Sequence, residues 1–180
     1  MPARGPLMIE HRLIERLIAI VRQTVRRLEA EEKVDPEFVD AIVDFIRTYA
    51  DRTHHGKEED LLFRDLEEKD LSPGDRRVAE ELIAEHVLGR ETTKELVEAN
   101  SRYRHGDPSA LNVIKDKLRL LADFYPRHIE KEDKRFFPAC QAYFSEAEEQ
   151  SRLQKFWEFD RKMIHEKYGK LVQELEAKIA

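Results

Sequence analysis

Three segments of this chain open with a capping side chain followed by proline: Asp35-Pro36, Ser72-Pro73 and Asp107-Pro108. Aspartate or serine there accepts a bond from a free backbone N–H, and proline at the first helical position gives up no N–H that the helix needs. Ser145 with Glu148 makes a fourth start, a capping box. The starts lie 37, 35 and 38 residues apart. Strings such as EFVDAIVDFIRTYA and ALNVIKDKLRLLADFY run between them with apolar residues at helical spacing. The opening LMIEHRLIERLIAIVRQTVRRLEA adds a fifth helix ahead of the rest.

Long helices joined by short connections make antiparallel neighbours. The chain is therefore predicted to be all-α: an up-down-up-down four-helix bundle over about residues 7–138, with an additional C-terminal helix over about 145–180 that packs outside it or caps one end. A repeat near 35 residues could also build a solenoid, but each unit would need a turn at its middle, and such signals are mostly absent. Gly56, Gly89 and Pro126 do interrupt helices, and each falls close to a histidine. No linker or low-complexity tract divides residues 1–180, so one domain is expected.

Composition narrows the class of function. Charged residues make up 39% and apolar ones 41%, with six glycines and seven prolines, which suits long salt-bridged helices. A net charge of −6 without a basic block argues against a nucleic-acid partner. No apolar run reaches the roughly 20 residues that span a bilayer, and no signal-type apolar region opens the chain. The lone Cys140 excludes an internal disulfide and reads as a packed small hydrophobe in a reducing cytosol. The expectation is a soluble cytoplasmic protein.

Seven histidines carry the chemistry. Positions i and i+4 stack on one helix face. His11 falls in the row of Leu7, Ile14 and Ile18; His54 follows Ile46 and Ala50, with Glu58 and Leu61 continuing the line. His86 lies in line with Ala79 and Leu82, and His128 follows Leu121 and Phe124, with Glu132 and Phe136 beyond it. His55 instead aligns with Asp44, Thr48 and Asp51, so the His55/Glu59 pair is expected on the flank. His105 reads as a solvated loop residue, and His165 lies beside the stripe Trp157, Ile164, Tyr168.

A single H-x-x-x-E is usually a surface pair contributing a few tenths of a kcal/mol. Two of them on buried stripes of different helices are another matter, because an unpaired buried carboxylate costs several kcal/mol. Glu58 and Glu132 need cations, and no buried lysine or arginine is evident for both. A divalent metal centre satisfies the two acids and four histidines together. Each carboxylate can bridge two ions through its two oxygens while the imidazoles bind one each, which describes a dinuclear site. Imidazole with carboxylate suits iron, zinc, manganese or copper.

The order His11, then HHGKEEDLLF, then EHVLGR, then HIEKEDKRFF resembles the hemerythrin-like (HHE cation-binding) family over roughly Leu7 to Pro138. The resemblance implies a non-haem di-iron centre, two iron ions that bind dioxygen or sense oxygen, nitric oxide or redox state. Carried over by position, His11, His54, His86 and His128 would be terminal ligands and Glu58 and Glu132 the bridges. One ligand is missing: oxygen carriers of the family have two histidines four apart on the third helix, whereas Leu82 and Arg90 flank His86 at that distance. His55, Glu15 and His165 are candidates to replace it, and His165 is favoured because the fifth helix has no other evident purpose.

Three rival readings follow. A ferritin-like oxidase needs Glu-x-x-His, but Asp51, Ile83 and Tyr125 stand three before His54, His86 and His128. A hemerythrin-type site could instead decompose peroxide in the manner of a catalase, or act as a redox-regulatory module. A structural zinc bundle is the third. The expectation is a metal-dependent ligand-binding protein rather than an enzyme, with no feature that designates a protein partner.

Overall fold

The computed structural model describes the backbone of residues 3–31 and 33–179, with the side chains of 3–30, 33–163 and 167. Five helical stretches make it up, and no strand occurs among the described residues. The first helix is Arg4–Glu31. The second runs over 36–67: an α-helical Pro36–Phe45 passes into i→i+5 (π) bonding over Ile46–His55 and again over Glu58–Phe63, ending at Arg64–Glu67. The third is Pro73–Arg104. The fourth covers 110–140 as Ala110–Lys131, a π stretch Glu132–Phe136, and Phe137–Cys140. The fifth is Glu146–Ile179.

The capping residues act as their chemistry dictates. Asp35 accepts from the Glu37 N–H at 3.0 Å, and Ser72 Oγ from the Asp75 N–H at 3.1 Å. The Ser145 N–H donates to Glu148 at 2.8 Å, and the Glu148 N–H to Ser145 Oγ at 3.4 Å. Asp107 differs. Its side chain takes the Ser109 N–H at 3.0 Å just as Asp35 takes that of Glu37, but a turn over 108–109 follows and the fourth helix starts at Ala110.

The helices run through Gly56, Gly89 and Pro126, contrary to the expected interruptions. Proline inside a helix deprives the carbonyl four residues back of its donor and costs about 3 kcal/mol or more. Here that carbonyl, Ala122 O, accepts from the Arg22 guanidinium at 3.2 Å, so the first helix satisfies what Pro126 leaves open. At Gly56 the requirement is close approach: a Cβ there would lie 2.8 Å from the Phe159 ring of the fifth helix.

Two apolar clusters lie along the molecule. One gathers Ile14, Val21, Ile42, Ala50, Leu96, Ile114 and Leu121, among others; the second gathers Leu7, Leu62, Phe63, Leu82, Phe136 and Phe156. His11 falls between Leu7 and Ile14, His54 between Ala50 and Leu62, and His86 between Leu82 and Leu96. On the fourth helix Glu132 falls between Ile129 and Phe136. The order of the two clusters along the chain reverses from each of these four helices to the next. The polar residues form a waist between them.

The fifth helix docks through Leu153 and Phe156, which join the second cluster. Arg152 is buried between Asp65 at 3.2 Å and Glu149 at 2.9 Å, its guanidinium 3.6 Å from the centre of the Phe144 ring. Trp157, on the stripe expected beside His165, is exposed. The side chains of Ile164, His165 and Tyr168 lie outside the described residues.

Candidate metal centre

His11, His54, His55, His86, His128, Glu58 and Glu132 are all buried at the waist. Ligand atoms of His11, His54, Glu58 and Glu132 lie within 4.8 Å of one another, and so do those of His55, His86 and His128. The carboxylates join the two groups. Glu58 turns Oε1 toward His54 Nε2 at 3.5 Å and Oε2 toward His86 Nε2 at 3.4 Å. Glu132 turns Oε2 toward His11 Nε2 at 3.1 Å and Oε1 toward His128 Nε2 at 3.2 Å. Both acids thus face both groups, and nine inward atoms, the five Nε2 and the four carboxylate oxygens, are buried without a hydrogen-bond partner.

Four of the five Nδ1 atoms are held by hydrogen bonds. Glu10 of the first helix accepts from His54 of the second at 2.9 Å, and Glu59 of the second from His86 of the third at 2.6 Å. Glu85 of the third accepts from His128 of the fourth at 2.9 Å, and Asp133 of the fourth from His11 of the first at 2.7 Å, closing a circle through the four helices. Such outer carboxylates fix the tautomer and raise the basicity of an imidazole ligand. Every acid of the circle is paired in turn with a cation from the helix of the histidine it serves: Glu10 with Lys57, Glu59 with Arg90, Glu85 with Lys131, Asp133 with Arg12.

His55 overturns its expected place on the flank. It is buried, its ring stacked on His86 with centroids 3.9 Å apart, and Asp51 Oδ1 stands 3.5 Å from its Nδ1. The cause is the π bonding of Ile46–His55. With i→i+5 spacing His55 falls in line with buried Ala50, where His54 already stands by i→i+4, so both imidazoles enter. Arg90 occupies the expected ligand position on the third helix as an ion-pairing residue, donating to Asp51 at 2.7 Å and to Glu59 at 2.6 Å. His105 is exposed and Glu15 pairs with Arg12 at 3.0 Å. The outer acids were missed by sequence reasoning, yet a signal exists: each directly precedes or follows a ligand candidate, as Glu10-His11, Glu58-Glu59, Glu85-His86 and Glu132-Asp133.

The electrostatics follow from two carboxylates buried among five imidazoles. Burial, then the neighbouring Glu132 charge, push the Glu58 carboxyl well above its usual range. Burial acts the same way on Glu132 but is outweighed by His128, His11 and His86, so that carboxylate stays ionised. Burial works against charge on His11 and His128, yet Asp133 and Glu132 raise the first to about 9, and Glu132 with Glu85 raise the second to about 10. His54 is pulled down to about 4 by burial, and His55 is lowered by burial and by His86 beside it. The Cys140 thiol, buried in the second cluster, is pushed up to about 12 and behaves as a packed apolar group.

A family model described as hemerythrin HHE cation binding domain matches residues 6–140. Uncharacterised proteins of Mycobacterium bovis and of two Mycobacterium tuberculosis strains are each 24% identical over 157 residues, 86% of this chain. The chain spans 60% of the length of these relatives. No solved structure matches.

Proposed function

Since the chain belongs to the hemerythrin HHE cation-binding domain family, we propose that its waist holds two iron ions and that this centre binds or senses dioxygen or a related small oxidant. The observation that carries the reading is the set of nine buried, unpartnered donor atoms directed inward, while on four of the five histidines the opposite nitrogen is tied down. Leaving that many polar groups buried and unpaired costs several kcal/mol on any accounting. His11 and His54 would hold one ion and His55, His86 and His128 the other, with Glu58 and Glu132 bridging. Of the proposed replacements for the missing third-helix histidine, His55 is the one the described residues bring beside His86 and His128. We also take the four helices as up-down-up-down, which the alternating order of the two apolar clusters supports.

Iron supplies the electrons that reversible oxidant binding requires. The chain's own residues do the rest. The circle of outer acids orients four of the imidazoles, those of His11, His54, His86 and His128, and keeps a proton on each Nδ1. Ile14 and Ala50 on one side and Leu7, Phe63 and Phe136 on the other wall the centre in apolar side chains, which lowers the local dielectric and excludes bulk water. The position held by His11 and His54 would have one nitrogen donor fewer than the one held by His55, His86 and His128.

Loading should displace protons. At pH 7 His11 and His128, with values of about 9 and 10, carry protons, while burial and Glu132 raise Glu58 as well. Anaerobic addition of ferrous iron to the metal-free chain in weak buffer at pH 7 is expected to release about two protons per chain, from His11 and His128, as two ions bind. Because the competing protons leave as pH rises, affinity should climb from pH 7 toward 10 and fall below 7. Affinity that does not move with pH, with no proton release, would overturn this account. An optical spectrum before and after air distinguishes iron from structural zinc, and oxygen evolution from added peroxide tests the catalase-like alternative.

A further inference from the structure

Three of the four cations behind the outer acids are open to solvent: Arg12 is 55% exposed, Arg90 37% and Lys131 24%, whereas Lys57 is 0% exposed. Lys57 also holds a second carboxylate. Its Nζ donates to Glu10, which accepts from His54, and at 2.7 Å to Asp160 of the fifth helix. Asp160 thereby joins the fifth helix to the circle. Close by, Phe159 of the same helix rests on Gly56, between His55 and Glu58.

We infer that the line Asp160–Lys57–Glu10–His54 couples docking of the fifth helix to the metal position formed by His11 and His54, with Lys57 and Asp160 as positioning residues. This rests on the dinuclear reading above. The physics is that of one shared charge. In a buried setting a fixed ammonium is screened little, so its field falls on whatever carboxylates touch it. With Asp160 in place Lys57 divides its charge between two acids, and Glu10 keeps enough of its own to polarise the His54 N–H. Without Asp160 the whole charge bears on Glu10, the polarisation weakens, and His54 becomes a poorer donor. The other metal position is held differently. Its outer acids answer to Arg90 and Lys131, which water screens. Linkage makes the effect reciprocal: if docking tightens one ion, that ion tightens docking by the same factor.

The test is anaerobic competition of ferrous iron between the full chain and a chelator, comparing wild type, Asp160→Asn, Asp160→Glu and Asp44→Asn. Asp44 pairs with Lys167 at 3.0 Å, a contact of the same helix that does not touch the circle. Asp160→Asn is expected to lose about tenfold in affinity for one ion, the low end for groups behind a metal ligand, and to leave the other within about twofold. Asp160→Glu should restore most of the loss, and Asp44→Asn should match wild type. In the reverse direction, iron should slow proteolysis of the fifth helix in wild type and not in Asp160→Asn. Equal affinities in wild type and Asp160→Asn, losses in both steps alike, or the same loss in Asp44→Asn would each overturn the coupling. A wild-type chain that binds no iron would instead overturn the dinuclear reading beneath it.

Discussion

Replacing Glu132 with alanine is expected to drop iron from about two per chain to less than one, the largest loss of any single change. The side chain is fully buried, and its two oxygens face His11 on one side and His128 and His86 on the other. Alanine removes a donor from both ions together and also the anion that offsets them. Changing a group behind a ligand typically costs 10–100-fold in affinity, so losing a shared ligand should exceed that for each ion. The metal-free form should suffer as well, because Glu132 holds protons on His11 and His128. Breaking a buried charge pair on one side costs about 3–5 kcal/mol, less whatever the imidazoles recover by shedding their protons. Glu132→Gln keeps the volume and discards the charge. It should spare more stability than alanine and still fail to hold both ions. Iron analysis and thermal unfolding with and without iron decide it; an alanine variant with two irons would show that Glu132 is a buried ion-pair residue and no bridge.

His55→Ala should lose one ion, as severely as His54→Ala and from the opposite side of the site. Both rings are buried and both Nε2 atoms are unpartnered. They separate by neighbour. His54 groups with His11 and the two acids, and His55 with His86 and His128. Iron per chain should fall to about one in each variant and to near zero in the double variant, while His165→Ala, the change at the other proposed ligand, should keep two. Full retention of iron by His55→Ala would leave its ring as a stacked neighbour of His86. Loss in His165→Ala would return the missing ligand to the fifth helix.

Much of this was readable before any coordinates. Capping side chains and prolines marked where helices begin because those bonds are local, made within three residues of one another. The pairs His54/Glu58 and His128/Glu132 were readable because four residues is nearly one α-helical turn. His55 was not, since a phase of 100° per residue was carried through Ile46–His55, where i→i+5 bonding turns the chain by roughly 80°. Over ten residues that drift brings a flank position to the core. Nor could the outer acids be assigned: Glu10 stands next to His11 in sequence but serves His54, a partner defined only by which helix packs beside which. The inward face of the fifth helix was hidden for a similar reason. Its most buried charged residue among those described, Arg152, goes inside only because Asp65 and Glu149 meet it there, while Trp157 stays out.

The π turns have a consequence for how this chain can change length over evolutionary time. An i→i+5 ring encloses one more residue than an α-helical ring, so a π stretch behaves as an insertion that the helix has absorbed without breaking. Deleting Thr48 or Tyr49 would let Ile46–His55 relax to α-helical bonding, and the local rotation that turns His55 inward beside His54 would be lost. The second imidazole would return to the flank, although it would still be encoded. A residue removed from the connection at 68–72 costs no such rotation, because a loop takes up the slack. Alignments of relatives should therefore show gaps in the connections, and a one-residue gap inside the second helix would mark a homologue that has the same letters and a differently aimed site.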